Sequence, residues 1–395
     1  MSASSQPVVT LGCRLNIAES EAIRQLLPAH GRDVAVVNSC GVTNQAVKDT
    51  RAAIRRLRRE RPNVELIVTG CASDMDRAAF EAMPEVDRVV ANAAKLLPAT
   101  WGPRANMAPP RRHTRGFVGV QNGCDHACTF CAIPQGRGRS RSDPIGAVVQ
   151  HVAELVERGQ REVVLSGVDL TSYDDRGARL PALIERLLAG VPGLQRLRLS
   201  SLDPAEVDDH LFALLTQEPR LMPHVHLSLQ AGDDLILKRM HRRHSRAQAI
   251  TLAQRLKAMR PEITIGADLI AGFPTESDSA HVNTLAMIDD ADITHAHVFP
   301  YSPRDRTPAA RMPQVAPETA RARAAALRAI STKRRADWLA TQVGTVQAVL
   351  IERPGDRGHT PAFADLHLAA PAAIGSIVNA RVTAATPTHL IGTPE

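Results

Sequence analysis

Short valine-rich runs alternate with helix-forming segments over residues 8–90, and this alternation limits the fold more than any other feature of the chain. The apolar runs are "VVTL", "DVAVVNSC", "VELIVTGC" and "VDRVVA", and segments such as "NQAVKDTRAAIRRLRRE" lie between them. Continuous apolar runs are typical of strands buried on both faces, and helical connections make neighbouring strands parallel. The sequence therefore predicts an amino-terminal parallel α/β domain over residues 1–102.

Three cysteines stand just past the ends of these predicted strands. Cys13, Cys40 and Cys71 follow the first, second and third apolar runs. Open parallel sheets bind ligands outside the carboxyl ends of their strands, so three thiols distant in sequence are expected to meet at one edge. A cysteine behind a strand also packs as a small apolar residue. One such residue would carry no information, but three in equivalent positions favour a shared site.

The alternation resumes over residues 116–335. Its candidate strands are "GFVGV", "EVVLSGV", "RLRLSS", "HVHLSLQ", "ITIGADLIAG" and "HAHVFPY". Six strand–helix units predict a partial (β/α)6 barrel, because a closed barrel of this type needs eight. The missing units would leave a lateral opening for a macromolecular substrate. Residues 103–115, rich in proline and arginine, are typical of a linker between the two α/β domains.

The carboxy-terminal part of the chain has a different pattern. A long basic helix pattern, "PETARARAAALRAISTKRRADWLATQ", is followed by short runs such as "TVQAVLIE" and "SIVNARVTAA", which glycine and proline interrupt. Short strands of this kind predict a small β-barrel over residues 336–395. Compact barrels of this size are used to bind single-stranded nucleic acid.

Composition and the chain's start narrow the class of protein. Hydrophobic residues make up 44% and charged residues 23%, as in globular proteins. The start "MSASSQPVVTLGC" does not resemble a secretory signal, and no apolar run approaches the ~20 residues of a membrane span. A cytoplasmic location is therefore expected, where cysteines favour metal or redox chemistry over disulfides. The net charge of +7 favours a polyanionic partner without demonstrating one.

A second cysteine trio is packed into "GCDHACTFC", where Cys124, Cys128 and Cys131 are spaced C-x3-C-x2-C. Three thiolates can hold three corners of a 4Fe-4S cluster and leave the fourth iron open to a small molecule. Zinc is the alternative, and it needs a fourth ligand such as His126 or His113. His126 lies between the cysteines on a short loop and is an awkward ligand, so the open cluster is favoured.

This motif, with Phe130 before its last cysteine, resembles the signature of radical S-adenosylmethionine (SAM) enzymes. The resemblance implies that the three cysteines are catalytic, and that the open iron binds SAM and cleaves it to a 5′-deoxyadenosyl radical. "VVLSGVDL" and "ITIGADLIAGFPTE" resemble the superfamily's strands near the methionyl group and the adenine. By analogy, the candidate SAM contacts are the strand-end residues Gly167, Ser201 and Gln230.

The first trio narrows the resemblance further. Cys13 in "LGCRLN", Cys40 in "NSCGVT" and Cys71 in "TGCA" are similar to the amino-terminal domain of the tRNA methylthiotransferases. Nearly the whole chain shares this similarity, including a tail that resembles the RNA-binding TRAM barrel. The resemblance implies two 4Fe-4S clusters, one on each trio. The first carries or supplies sulfur, and the second, with SAM, removes hydrogen from C2 of an adenine so that a methylthio group is inserted.

Other segments separate the branches of this family. "SGVDLTSY", "LSSLDP" and "FPYSPRDRTPA" are most similar to the branch that acts on N6-threonylcarbamoyladenosine next to the tRNA anticodon. The branches acting on isopentenyladenosine or on a ribosomal-protein aspartate remain alternatives with the same chemistry. The implied partners are the tRNA anticodon stem-loop and an electron donor such as a flavodoxin or ferredoxin, with no membrane. Thr275 and Gly41 depart from the family pattern, which usually has glycine and threonine there.

Arginines follow the second trio at once. Arg137, Arg139 and Arg141 alternate with small residues and are candidate RNA contacts, since arginine commonly binds phosphate. A solvated loop, or carboxylate pairing within the domain, explains each of them equally well. From a different class of function, a non-catalytic metal-bearing RNA-binding protein is the alternative, and it predicts no cleavage of SAM.

Overall fold

The computed structural model describes residues 8–27, 33–101 and 113–395, which form two compact units. Unit 1 consists of the described residues up to 101 together with Gln121–Arg141 and Ser302–Thr307. Unit 2 consists of His113–Val120, Ser142–Tyr301 and Pro308–Glu395. The second cysteine trio therefore packs in the same unit as the first. Most of the predicted linker, residues 103–115, lies outside the described residues.

A four-stranded parallel sheet forms the centre of unit 1, as the sequence predicts. Its strands are paired in chain order: Val8–Thr10, Val34–Ser39, Glu65–Gly70 and Arg88–Val90. The helices are Arg14–Leu26, Asn44–Glu60, Cys71–Met75, Arg77–Glu81 and Ile133–Arg137, with a 3-10 turn at Pro98–Thr100. Val36 packs with Ile23 on one face of the sheet, and Val37 packs with Ile54 on the other. This burial on both faces is why the strands have no polar alternation.

Unit 2 contains the six parallel strands predicted for the barrel. They are Gly116–Gly119, Glu162–Ser166, Arg196–Leu199, His224–Gln230, Thr264–Ala271 and Ile293–Pro300. The first three strands form one sheet and the last three another. Parallel bridges from Leu197 to Leu221 and from Leu202 to Leu227 join the two sheets. The predicted partial (β/α)6 barrel is confirmed.

Helices cover the outer face of these strands. They are Ile145–Glu157, Leu180–Gly190, Asp209–Gln217, Asp234–Arg239, Arg246–Met259, Asp278–Asp290 and Pro317–Ala340, with 3-10 turns at Leu170–Ser172, Pro204–Glu206 and Pro308–Arg311. Two-residue strands occur at Gln121–Asn122, Arg141–Ser142, Asp174–Asp175 and Ala178–Arg179. Ile265, Ala267 and Leu269 alternate along one strand and pack into the core beneath the helices. Gly266 and Asp268, at the intervening positions, belong to the opposite face, which lines the barrel interior.

A closed five-stranded barrel ends the chain, as the sequence predicts. Its strands are Val346–Glu352, Arg357–His359, Asp365–Leu368, Ile377–Ala385 and Leu390–Pro394. Val349, Leu366 and Leu390 fill its interior together with Leu339, which comes from the preceding long helix. The helix therefore contributes to the core of this small barrel.

One loop of the small barrel packs against the partial barrel. Phe363 in this loop stacks on His224, with ring centroids 5.0 Å apart, and its ring lies 5.1 Å from the Arg198 guanidinium. Arg198 Nη2 donates to Thr360 O at 2.8 Å, and Thr264 Oγ1 donates to Ala362 O at 2.8 Å. His224 and Thr264 are the first residues of their strands. The loop therefore covers the amino-terminal end of the strands, opposite the end where ligands bind in such folds.

Among the described residues, no helix combines the length and the apolar character needed to cross a membrane.

Two buried histidines should make unit 2 sensitive to acid. Burial lowers the pKa of His295 to about 3, and burial together with Arg242 lowers the pKa of His244 to about 4. Both are neutral in the folded chain, whereas in the unfolded chain they gain a proton below about pH 6.5. Their contribution to stability is therefore present above about pH 6.5 and is lost as the pH falls toward 4.

Urea unfolding at pH 7.5 and pH 5 checks this expectation. We expect the free energy of unfolding to fall by roughly 2 kcal/mol or more between these values, with a smaller fall in His295→Gln. If the free energy of unfolding depends on pH equally in the variant and the parent protein, His295 does not contribute to the acid sensitivity of unit 2.

Candidate metal centre

Cys13, Cys40 and Cys71 lie at one edge of unit 1, where three neighbouring strands end. Gly70 brings the second and third strands close together just before two of these cysteines. Its φ is +105°, and a Cβ at this position would lie 2.4 Å from Ser39 O. Glycine is needed here because any side chain would push these two strand ends apart.

Cys40 lies against the residue that precedes Cys13: a Cβ at Gly12 would lie 2.9 Å from Cys40 Cβ and 3.0 Å from Cys40 Sγ. Burial raises the pKa of the Cys40 thiol, and the charges of Cys71 and Cys13 raise it further. Burial also raises the pKa of Cys71, although the Arg137 and Lys95 cations oppose this effect. A thiol with a raised pKa does not ionise readily by itself, and a bound metal drives its deprotonation.

The spacing of the sulfur atoms tests whether the trios fit a single ion or a cluster. Among the described residues, neither trio brings all three sulfur atoms within 4.8 Å of one another. Ligands around one tetrahedral zinc, each about 2.3 Å from the ion, lie only about 3.8 Å apart. Three thiols are also the donor set that a 4Fe-4S cluster with one open iron uses. A ring nitrogen of His126 lies within 4.8 Å of Cys124 Sγ, so the histidine proposed for zinc does lie beside the second trio.

The second trio lies on a loop that the backbone holds closed. Cys124 N donates to Gly138 O, and Cys131 N donates to Cys128 O, both at 3.1 Å. Two backbone N–H groups also point at cysteine sulfurs: His126 N lies 3.4 Å from Cys124 Sγ, and Ile133 N lies 3.4 Å from Cys131 Sγ. Such donors stabilise thiolate ligands and adjust the properties of a bound centre. His113, the other histidine proposed for zinc, packs in unit 2 with its ring 5.7 Å from that of Phe117.

The structure contradicts the predicted RNA contact for Arg137. This residue is only 5% exposed, and its Nε donates to Cys71 Sγ at 3.0 Å. Its two terminal nitrogens donate to Glu19 and Asn16, at 2.7 and 2.8 Å. A guanidinium buried in this way and bound to its own unit cannot reach a phosphate in solution.

Arg139 and Arg141 are placed differently. The side chain of Arg139 is 92% exposed, and its Nε lies 3.4 Å from Asp125 Oδ1. Arg141 is exposed and donates through Nη1 to Arg137 O at 2.9 Å. Both are accessible to a polyanion, and their RNA contact stays a prediction.

Two protein-family models match the chain, one for the region of each cysteine trio. Residues 118–288 match the radical SAM superfamily, and residues 6–91 match the uncharacterized protein family UPF0004. Among solved structures, the radical SAM methyltransferase TsrM from Kitasatospora setae is similar, with a TM-score of 0.55 and 16% identity. That similarity covers 75% of this chain and 68% of TsrM, and it concerns the fold alone.

Curated relatives decide the family. The threonylcarbamoyladenosine tRNA methylthiotransferase MtaB of Rickettsia prowazekii is 44% identical, over 95% of this chain and 94% of the relative. The chain belongs to the radical SAM tRNA methylthiotransferase family. Another relative, the tRNA-2-methylthio-N(6)-dimethylallyladenosine synthase of Cereibacter sphaeroides, is 33% identical over 98% of this chain and 97% of its own length. Membership of the radical SAM superfamily implies a 4Fe-4S cluster and SAM.

The SAM contacts predicted for this methylthiotransferase all lie at carboxyl ends of strands in unit 2. Gly167, Ser201 and Gln230 are each half-buried. Gly167 N donates to Ser200 Oγ at 3.2 Å. Gln230 has a φ of +75° and follows an irregularity in the strand pairing. Strained backbone of this kind concentrates at ligand sites, although the contacts themselves stay a prediction.

Two departures from the methylthiotransferase pattern have local explanations. Thr275 has a φ of +68°, the conformation in which the family's glycine is unstrained. Its Oγ1 accepts a hydrogen bond from Arg239 Nη1 at 2.7 Å, which offsets part of the strain. At Gly41 a side chain has no room, because a Cβ would lie 2.9 Å from Met75 Sδ and 3.0 Å from Ala72 N.

A cluster inside the partial barrel was not found from the sequence. Asp268 Oδ1 lies 3.1 Å from His226 Nε2 and 3.2 Å from His297 Nδ1. Burial would raise the pKa of Asp268, but hydrogen bonds from the two imidazoles outweigh this and lower it well below its usual range. The sequence does contain a signal: "HVH" and "HAH" place histidines at alternate strand positions, which share one face.

Two glycines beside the second trio allow a matched test of its loop. Gly123 and Gly138 share a φ of +73°, but a Cβ at Gly123 would lie 1.9 Å from Arg139 O, whereas nothing lies within 4 Å of one at Gly138. We expect Gly123→Ala to lose the iron bound by this loop. Gly138→Ala carries only the backbone strain of about 1 kcal/mol and should keep its iron.

Iron and visible absorbance are measured in both variants after anaerobic reconstitution. Equal iron in the two proteins would show that the crowding at Gly123 does not matter for the site.

Proposed function

We propose that the protein inserts a methylthio group at C2 of N6-threonylcarbamoyladenosine, next to the anticodon of tRNA in the cytoplasm. The observation that carries this proposal is 44% identity, over 95% of the chain, to a threonylcarbamoyladenosine tRNA methylthiotransferase. The tRNA-2-methylthio-N(6)-dimethylallyladenosine synthases of Cereibacter sphaeroides and Paracoccus denitrificans are 33% and 32% identical, less than this relative.

Two clusters are part of the proposal. Cys124, Cys128 and Cys131 would hold the cluster that binds SAM, and Cys13, Cys40 and Cys71 would hold a second one that carries or supplies sulfur. Support comes from the two sets of three thiols, the donor set that a 4Fe-4S cluster with one open iron uses. When bound, the cluster on Cys124, Cys128 and Cys131 would supply, with SAM, the one-electron chemistry that an adenine C–H bond requires and that protein side chains lack.

The chain's own residues bind and orient the reactants. We assign Gly167, Ser201 and Gln230, at carboxyl ends of barrel strands, to SAM. The exposed guanidiniums of Arg139 and Arg141, which follow the second trio in the chain, are assigned to tRNA phosphates. Phosphate contacts fix the orientation of a nucleic acid but do not read its sequence. Recognition of the modified base therefore has to come from other residues.

Domain roles follow from the same proposal. Residues 1–102 would carry the sulfur-supplying cluster, residues 116–335 would form the radical SAM barrel, and residues 336–395 would bind RNA as a TRAM-like domain. Closed five-stranded barrels are a recurrent fold for single-stranded nucleic acid, which supports the last assignment. The electron donor would be a flavodoxin or ferredoxin.

Nucleoside mass profiles of tRNA from cells with and without the gene test the reaction and the substrate together. We expect loss of 2-methylthio-N6-threonylcarbamoyladenosine and accumulation of its precursor without the methylthio group. Loss of 2-methylthio-isopentenyladenosine instead would move the substrate to the other tRNA branch. If neither changes, a protein substrate such as a ribosomal-protein aspartate has to be tested.

A further inference from the structure

We propose that Arg137 is a positioning residue for the centre on Cys13, Cys40 and Cys71, where its guanidinium binds a ligand sulfur and supplies positive charge beside an anionic cluster. The inference rests on the proposed function, because it requires a cluster on this trio. It gives a role to a buried cation that the radical chemistry itself does not use.

The guanidinium of Arg137 is held rigidly. Its side chain is only 3% exposed. Nε donates to Cys71 Sγ at 3.0 Å. Nη1 donates to Glu19 Oε1 at 2.7 Å and to Asn122 Oδ1 at 2.9 Å. Nη2 donates to Asn16 Oδ1 at 2.8 Å and to Glu19 Oε2 at 3.2 Å. All three nitrogens are engaged, so the planar fork has one orientation, with Nε toward the sulfur.

An anionic sulfur beside Arg137 would complete the pairing of charges in this buried cluster. Lys95 is fully buried, and its Nζ donates to Glu19 Oε2 at 2.6 Å. Arg137 and Lys95 therefore share one carboxylate, Glu19, as their direct ion-pair partner. A buried net charge is costly unless an anion compensates it. Asp74, another carboxylate nearby, accepts from Asn92 N at 2.9 Å, whereas Cys71 Sγ contacts the guanidinium directly.

Arg137 also connects the two trios within unit 1. It ends the helix Ile133–Arg137, which begins two residues after Cys131. The preceding residue packs against the first trio: a Cβ at Gly136 would lie 3.2 Å from Cys71 O. Asn92 Nδ2 donates to Gly136 O and fixes this contact. The loop that carries the second trio therefore delivers a cation to a ligand of the first.

Hydrogen bonds to cluster sulfurs and nearby positive charge stabilise the reduced, more negative state of an iron–sulfur cluster. Removing the charge should shift the reduction potential of the first-trio centre to a more negative value. Lysine keeps the charge but cannot make the same set of bonds, because its ammonium lacks the planar fork.

The experiment starts from a protein in which Cys124, Cys128 and Cys131 are alanine, so that only the first-trio centre remains. Iron analysis shows whether that centre forms, and a redox titration followed by electron paramagnetic resonance gives its potential. In Arg137→Gln we expect the equilibrium constant for one-electron reduction of the centre to fall tenfold. This corresponds to a shift of its reduction potential by about 59 mV to a more negative value. Arg139→Gln, two residues away and exposed, is the control and should leave the potential unchanged.

The outcomes separate this inference from the proposed function. If the starting protein binds no iron, the two-cluster proposal fails. If it binds iron and Arg137→Gln has the potential of the control, the inference is overturned. If Arg137→Gln loses its iron while circular dichroism shows a folded chain, the positioning role is supported. Arg137→Lys, which keeps the charge, then supplies the potential: a value equal to that of the control supports the electrostatic part, and a negative shift of about 59 mV despite the retained charge would overturn it.

Discussion

Alanine at Cys124, Cys128 and Cys131 is expected to abolish the cleavage of SAM and to lower the bound iron from about eight to about four atoms per chain. The reason is that these thiols are proposed to hold one of two four-iron clusters, and the one that binds SAM. The measurements are iron analysis after anaerobic reconstitution and detection of 5′-deoxyadenosine in a dithionite-reduced sample.

The matched variant replaces Cys13, Cys40 and Cys71 instead. It should also lose about half of the iron, but it should still cleave SAM while failing to modify tRNA. About four iron atoms in the parent protein would rule out two clusters. Absence of 5′-deoxyadenosine from the iron-loaded parent protein would favour the non-catalytic RNA-binding alternative.

The strands could be predicted from the sequence because each one is marked by a run of apolar residues within its own segment. Each strand of the unit 1 sheet coincides with an apolar run, and Cys40 and Cys71 directly follow their strands. The six barrel strands and the small closed barrel were predicted from the same kind of pattern. In each case the spacing of the apolar residues, or the length of the apolar run, lies within one short segment. The sequence of that segment is therefore enough to predict the strand.

Arg137 shows where such reasoning fails. Arg137, Arg139 and Arg141 occupy equivalent positions in a repeating pattern, yet the first is buried and the other two are exposed. The difference comes from Glu19, which is 118 residues away in the sequence. Lys95 likewise pairs with Glu19 across 76 residues. Pairings at this range depend on tertiary packing, which the pattern around either residue does not encode.

Docking of the small barrel was also beyond the sequence. Phe363 lies in a loop with a φ of +70°, and nothing in "TPAFADL" marks it as a contact residue. Its neighbours are the His224 ring and the Arg198 guanidinium, which lie on two different barrel strands. The contact exists because three segments distant in sequence meet, and the last domain belongs to unit 2.

Glu162→Gln is expected to destabilise unit 2 by about 3–5 kcal/mol, because breaking one side of a buried ion pair leaves the other charge uncompensated. Glu162 is fully buried, and its Oε1 accepts from Arg198 Nε at 2.7 Å. Arg196 Nη1 lies 3.6 Å from Oε2. Burial would raise the pKa of Glu162, but these arginines outweigh it and the pKa is lowered, so the carboxylate stays charged.

The same substitution should loosen the small barrel. Arg198 also donates to Thr360 O, and Arg196 Nη2 donates to Ala348 O at 2.7 Å, so both cations hold the docked domain in place. Urea unfolding followed through Trp338, on the long helix, reports both effects. Glu185→Gln, at an exposed carboxylate paired with His210, is the control and should change stability by less than about 0.5 kcal/mol. A variant at Glu162 as stable as this control would show that the two guanidiniums find other partners, and that the buried pair does not hold the domains together.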